Sequence, residues 1–418
     1  MYKTLPGFLT AIALVLTACN NNGTNTTATD STIGDSGTHA SATYPAVETK
    51  EPNTNYKPAF AGQTRIGGVK TSTPYEVTML TDKLERPWGI TVLPDGRLLI
   101  TQKEGTMLIV TPQGNVGAPI TGLPAVNSEA QGGLLGVTID PSFSSNRMVY
   151  WTFSENISGG TVTSVAKGKL SADEKKMENA MVIYRAMPAH NGFQHYGGRI
   201  LFDKNGNLFV STGERSDIET RPQAQHLNSA LGKVLHITTD GKPAADNPFL
   251  NNTNARPEIY SYGHRNVQSL AFHPQTGDLW EAEFGPRGGD ELNRIEPGKN
   301  YGWPIITYGI EYKGQKIGDS VTQKEGMEQP VYYWDPVISP SGMTFYNSDN
   351  IAEWKNNLFI ASLSGMHILR LVIENNKVVG EERLLTDEKQ RFRAVVQGSD
   401  GALYAVTDGG RLYRVGKK

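Results

Sequence analysis

The groups able to do chemistry in this chain stand in five short polar clusters. Gln131-Gly132-Gly133-Leu134-Leu135-Gly136 sets an amide before backbone slim enough to approach a flat ligand closely. Gln194-His195-Tyr196-Gly197-Gly198-Arg199 puts an imidazole just ahead of a glycine-flanked strand start. Gly263-His264-Arg265-Asn266 supplies a cation and an amide side by side, and the run Glu283-Phe284-Gly285-Pro286-Arg287-Gly288-Gly289-Asp290-Glu291 is a Gly-rich acidic loop. Arg391-Phe392-Arg393 adds two guanidiniums, whose planar forks suit carboxylates. An imidazole with an unperturbed pKa of about 6.5 can take up a proton near neutrality. Taken singly, each group has a plainer reading: a lone histidine is more often structural, a lone arginine more often half of a surface ion pair. Nucleotide, zinc and hydrolase motifs give no lead, because the chain has no Walker loop, paired-Cys cluster, His-Glu-x-x-His helix or Gly-x-Ser-x-Gly elbow.

The elements that must position these clusters are short strands. A phrase of apolar residues, a turn with Gly or Asn, then Leu or Met and a further strand recurs six times. Its Leu or Met falls at Leu98, Met148, Leu208, Leu279, Leu358 and Leu403, with spacings of 50, 60, 71, 79 and 45 residues. Each phrase is a hairpin signal, and Leu98-Leu99-Ile100, Leu208-Phe209-Val210 and Leu403-Tyr404-Ala405-Val406 read as strands packed on both faces. Hairpins of this kind also suit a β-sandwich. The unequal insertions favour blades with long functional loops, so the expected fold is all-β, a six-bladed β-propeller with its functional loops on one face.

Composition agrees. Of 418 residues 45 are Gly and only 20% are charged, as in a turn-rich β protein. Lys+Arg 40 against Asp+Glu 42 gives a formal charge of −2, which lacks the basic excess that binding a phosphate backbone requires, so no nucleic-acid partner is expected. The one cysteine, Cys19, ends a Leu16-Thr17-Ala18-Cys19 stretch behind a single lysine and a short apolar run, the layout of a signal peptide rather than a membrane span. This stretch resembles the bacterial lipoprotein box. Residues 1–18 are therefore expected to be cleaved, with Cys19 carrying lipid and the protein in the cell envelope, on the periplasmic side of the outer membrane. An ordinary secretory signal with a stray cysteine is the alternative. Residues 19–72, rich in Thr, Asn, Ser and Gly, read as a flexible tether. Residues 73–418 form the folded body, touching the membrane only through the anchor.

Gln-x-Gly-Leu-Leu-Gly, His-x-Gly-Gly-Arg, Gly-His-Arg-Asn, Gly-Pro-x-x-x-Asp-Glu, Asn300-Tyr301-Gly302-Trp303-Pro304 and Arg-x-Arg follow one another along the chain. In that order they resemble the soluble glucose/sorbosone dehydrogenase family, six-bladed propellers that use pyrroloquinoline quinone and calcium. The resemblance spans about residues 73 to 415, and the Gly309-Ile310-Glu311-Tyr312 element is similar to the aldose sugar dehydrogenase branch. It implies an aldose substrate oxidised to a lactone, an external electron acceptor, and His195 as the general base. It also implies Arg265 as a charge stabiliser, and Gln131, Arg265, Asn266, Tyr312, Ser362, Leu363, Ser364, Arg391 and Arg393 around the cofactor. The same resemblance puts one calcium on the backbone carbonyls of Gly285 and Pro286, and a second on Glu291 and the backbone of Tyr301; Asp290 is either a further ligand or a turn residue.

Two departures stand out. Gln194 replaces an aspartate before the catalytic histidine, and Ser362-Leu363-Ser364 lacks the lysine of a Ser-Leu-Lys phrase, as in the aldose sugar branch. Two rival readings remain at this level. A calcium-dependent propeller lactonase would have no need of Arg265, Arg391 and Arg393 together, and a non-catalytic carbohydrate-binding propeller would need no base at position 195.

Overall fold

A computed structural model describes residues 44–418. Cys19 and the signal-like stretch lie outside the described residues. Six antiparallel sheets follow one another along the chain. Blade 1 comprises Pro87–Val92, Leu98–Gln102 and Thr106–Val110. Blade 2 comprises Leu134–Ile139, Met148–Ile157, Gly160–Leu170 and Met177–Arg185. Ile200–Phe202, Leu208–Ser211, Lys233–Ile237 and Ile259–Tyr262 make blade 3. Val267–Phe272, Leu279–Glu283, Asp290–Ile295 and Tyr332–Trp334 make blade 4. The main strands of blade 5 are Pro340–Phe345, Leu358–Ser362, His367–Glu374 and Lys377–Leu384. Blade 6 has Phe392–Gln397, Leu403–Thr407 and Leu412–Lys417 from the carboxyl end, and its outer strand, Tyr75–Thr81, comes from the amino end.

The fold is the expected six-bladed β-propeller. Every repeated Leu or Met opens the second strand of its blade, and the turn before it joins that strand to the innermost one. These strands are buried on both faces, so they read as continuous apolar runs, and neighbouring blades share the resulting clusters. Closure depends on Tyr75–Thr81 pairing with Leu412–Lys417, which leaves no ragged edge in the last blade.

The expected tether is corrected over its second half. Tyr44–Ala46 pairs with Gly67–Gly68, which lies parallel to the outer strand of blade 5 beside Glu381. The attachment is polar, which is why hydropathy does not reveal it. Asp335 accepts from the backbone N–H and side chain of both Asn53 and Thr54. Glu382 holds Thr71, Glu353 holds Thr73, and Gln63 is fully buried.

Candidate active site

The innermost strands of a propeller run the same way along the axis, so the residues that enter them share one face. Arg86 and Trp88 enter blade 1, Gln131 precedes blade 2, and His195 precedes blade 3. Arg265 and Asn266 precede blade 4, and Arg391 and Arg393 flank the start of blade 6. A cavity of about 300 Å³ opens there, lined by Trp88, Lys103, Gln131, Tyr196, Gln268, Phe284, Leu363, Arg391 and Arg393 among others. His195, Arg265 and Asn266 stand directly behind this lining: His195 precedes Tyr196, Asn266 is hydrogen-bonded to Gly197, and Arg265 to Phe284. Arg86, Lys103, Arg391 and Arg393 face it against one carboxylate, Asp408, so its wall is cationic. Trp88 packs with Leu135 and Tyr196 as an apolar patch of that wall.

His195 is buried and sits in the left-handed region, φ 45°. Its backbone N–H donates to Gln131 Oε1 (2.9 Å), and its Nδ1 lies 2.9 Å from Glu214 Oε1. The other Glu214 oxygen accepts from the Ser216 N–H at 2.7 Å. With Nδ1–H donated to the carboxylate, Nε2 carries the free lone pair. Burial, then the nearby Arg265 cation, pull the imidazole down to about 4, against the partial opposition of Glu214. The unperturbed value expected from sequence does not apply, because this ring is out of water and beside a guanidinium. Arg215 grips both neighbours of His195: its Nε donates to the Gln194 carbonyl at 2.9 Å, and its guanidinium lies 3.9 Å from the Tyr196 ring centroid. Gly213 completes the fit. A Cβ there would stand 2.2 Å from the His195 carbonyl oxygen and 2.7 Å from Asn266 Oδ1.

Arg265 is buried against Trp303 and donates from Nη1 to the carbonyls of Phe284 (3.0 Å) and Gly285 (2.7 Å). Its Nη2 reaches the hydroxyl of the exposed Tyr312 at 3.4 Å. Asn266 Oδ1 accepts from Gly197 N–H, which ties blade 4 to the His195 loop. Arg265 Nε and Asn266 Nδ2 are buried with no hydrogen-bond partner, two donors awaiting an acceptor. Arg391 and Arg393 both donate to Asp408, through Nε atoms at 3.0 and 2.9 Å.

The Ser362-Leu363-Ser364 turn has a different use from the one expected. Ser362 Oγ donates to the Ile338 carbonyl at 2.7 Å and Ser364 Oγ pairs with Ser339 Oγ at 2.8 Å, so only Leu363 of the three lines the cavity. Asp290 opens the third strand of blade 4 and ties neighbouring turns to it. Its two oxygens accept from the N–H groups of Gly285, Ile338 and Ser339, and burial nevertheless pushes it up to about 7. The Gly285 carbonyl accepts from Arg265 Nη1, which leaves that oxygen one further lone pair. Glu291, partly buried, belongs to a separate group with the buried Glu281 and Glu283; desolvation and like charge raise both Glu281 and Glu291. His264, Glu281 and Glu283 bring one ligand atom each within 4.8 Å of one another, and the Tyr301 ring stacks on His264 at 4.8 Å. Glu281 Oε2 and Asn293 Oδ1 are buried there without donors, an oxygen-rich setting that fits a hard cation.

Sequence reading missed Trp88, Lys103, Glu214, Gln268 and Asp408. Glu214 and Asp408 each follow a strand that ends in a small-residue turn, Thr212-Gly213-Glu214 and Thr407-Asp408-Gly409. A carboxylate at that position in the repeat was the available signal.

Six blades with their polar groups gathered at one mouth of the axis define a propeller with a ligand-binding funnel. Residues 84–414 match the family model described as Glucose / Sorbosone dehydrogenase, and the chain belongs to that family. It is 41% identical over 344 residues to "Aldose sugar dehydrogenase YliI" of Escherichia coli (strain K12), which covers 81% of this chain and 92% of that protein. The crystal structure of the soluble aldose sugar dehydrogenase (Asd) from Escherichia coli in the apo-form superimposes with a TM-score of 0.79 at 40% identity, covering 82% of this chain and all of that one. The PQQ-bound form of aldose sugar dehydrogenase (Adh) from Streptomyces coelicolor gives a TM-score of 0.69 at 28% identity, covering 83% and 99%.

Proposed function

We propose that this protein is a quinoprotein that oxidises aldose sugars at the anomeric carbon to lactones. The observation that carries the reading is a neutral, buried imidazole held by Glu214 beside a cationic cavity, with unpartnered buried donors on Arg265 and Asn266 next to the residues that line it. Family membership and the PQQ-bound Streptomyces relative support pyrroloquinoline quinone as the occupant. A planar tricarboxylate suits a cavity where Lys103, Arg391 and Arg393 outnumber Asp408. Bound there, the quinone would supply the hydride acceptor.

The protein's own part follows from its side chains. His195 Nε2 removes the proton of the anomeric hydroxyl as the C–H electron pair leaves and the ring carbon becomes the lactone carbonyl. Glu214 fixes the tautomer and stabilises the imidazolium that forms. Arg265, desolvated and fixed by two carbonyls, would offset negative charge on a bound quinone, and the unpartnered Asn266 Nδ2 would be available to donate to it. Trp303 and Tyr312 border the mouth beside Arg265. We place calcium at the Glu291 group beside Tyr301 and assign it a structural role. Electrons leave to an external acceptor. Lipid at Cys19 would hold the protein in the bacterial envelope, facing the periplasm; Cys19→Ser should move it to the soluble fraction.

Dye reduction by the purified protein, supplied with pyrroloquinoline quinone and Ca²⁺ and challenged with several aldoses, tests the reading. Cofactor-dependent reduction with an aldose is expected, and its absence with every sugar and alcohol would refute the reading.

A further inference from the structure

Arg199 closes the His-x-Gly-Gly-Arg phrase, yet the chemistry above gives it no task. It lies at the head of the inner strand of blade 3 and lines a second void, of about 180 Å³, on the propeller axis. Inner-strand residues of all six blades wall this void, among them Ile90, Val137, Leu270, Met343 and Val395. No other charged residue lines it.

The guanidinium is fixed but not neutralised. Its Nε donates to the Gln268 carbonyl at 2.6 Å, its Nη2 donates to the Arg393 carbonyl at 3.2 Å, and its carbon lies 4.1 Å from the Trp88 ring centroid. Among the described residues no carboxylate forms an ion pair with it, and Nη1 has no hydrogen-bond partner. The nearest charge acting on it is Arg393, a second cation; burial and that repulsion together pull Arg199 down to about 9. Gly342 makes this placement possible, since a Cβ there would stand 3.0 Å from Nη2. Several other arginines are treated differently, though Arg265 shares the lack of a carboxylate partner. Arg370 meets Glu382, Arg383 meets Glu48 and Glu381, and Arg215 spends Nε, Nη1 and Nη2 on four protein oxygens.

A cation taken out of water without a counter-charge is costly. Water in the void can solvate Nη1 but cannot cancel its charge. A monovalent anion of halide size can do both, and the void has room for one. The walls carry the hydroxyl residues Thr91, Thr138 and Thr344 among the apolar groups but no second cation, so a divalent oxyanion would keep an uncompensated negative charge. We propose that the axial channel binds a small monovalent anion, chloride being the natural candidate, against Arg199 Nη1. Because Trp88 and Arg393 also border the large cavity, the anion lies behind that cavity's wall and outside the site where a sugar would react. Its presence does not depend on the dehydrogenase reading.

Bromide replaces chloride and scatters anomalously, so wild-type crystals grown without halide and then soaked in bromide test the site directly. The expected result is an anomalous peak on the axis within hydrogen-bond reach of Arg199 Nη1. In solution, exchanging gluconate for chloride at constant ionic strength should raise Tm in proportion to the logarithm of chloride concentration once the site is near saturation. Arg199→Met should abolish that dependence, and Arg199→Lys should weaken it. The wild-type crystal decides the matter even where a variant fails to fold. Water alone on the axis would overturn the proposal. So would a bromide peak accompanied by the same wild-type Tm in chloride and gluconate, which would mark halide binding at soak concentration only.

Discussion

The role proposed for His195 rests on what surrounds it: Glu214 orients its ring, Gln131 pins its backbone, and burial, then Arg265, keep the imidazole neutral. Its folded pKa lies below the ordinary value, so the basic form persists as pH falls until about 4. Ring resonances of His195 in the cofactor-free protein should therefore titrate near that pH, and Arg265→Gln, which removes a repelling cation, should move the midpoint upward. A midpoint at or above about 6.5 would contradict the assignment. His195→Ala should keep cofactor binding and lose turnover by ~10²–10⁴-fold, the usual effect of deleting a general base; steady-state rates with saturating cofactor measure it.

Elements position these residues through polar clasps as much as through apolar packing. Asp335 takes four hydrogen bonds from Asn53 and Thr54, and Arg287 Nε donates to Asn53 Oδ1, so the strap from residue 44 reaches the loop that carries Gly285 and Pro286. Asp335→Ala should cost about 1–3 kcal/mol and speed amide exchange at Asn53 and Thr54 while the strands of blade 5 stay protected. Hydrogen exchange with a denaturant titration reads both. The inner acid group of blade 4 is the element on which the proposed calcium assignment rests. Glu281, Glu283 and Glu291 repel one another, so under that proposal a chelator should lower Tm and added Ca²⁺ should recover it. An unchanged Tm would place no structural cation there.

For the molecule as a whole, stability depends on joining its two ends. Tyr75–Thr81 completes blade 6 against Leu412–Lys417, so the last blade cannot form until the amino end has arrived. Removing residues up to Thr73 should leave a closed propeller that still unfolds cooperatively. Removing residues up to Lys83 should expose the Leu412–Lys417 edge and give a protein that aggregates or unfolds broadly. Thermal unfolding and size-exclusion chromatography of the two truncations separate these outcomes.

Local chemistry carried much of this molecule in its sequence. Six strand-turn-strand phrases announced six blades, because a hairpin turn needs Gly or Asn and a doubly buried strand needs apolar runs, and both are properties of neighbouring residues. The clusters holding His195, Arg265, Asn266, Arg391 and Arg393 were legible for the same reason: each lies within a few residues of a strand start. Contacts between strands and between blades were not. Glu214 against His195 and Asp408 between two arginines join neighbouring strands of one blade, while the strap on Asp335 and the lone cation Arg199 on the axis depend on residues that the sequence keeps far apart or leaves unmarked. The imidazole shows the division most plainly. Its identity and place came from the sequence, whereas its fall to about 4 comes from burial and a neighbouring charge, which exist only once six blades have closed around it.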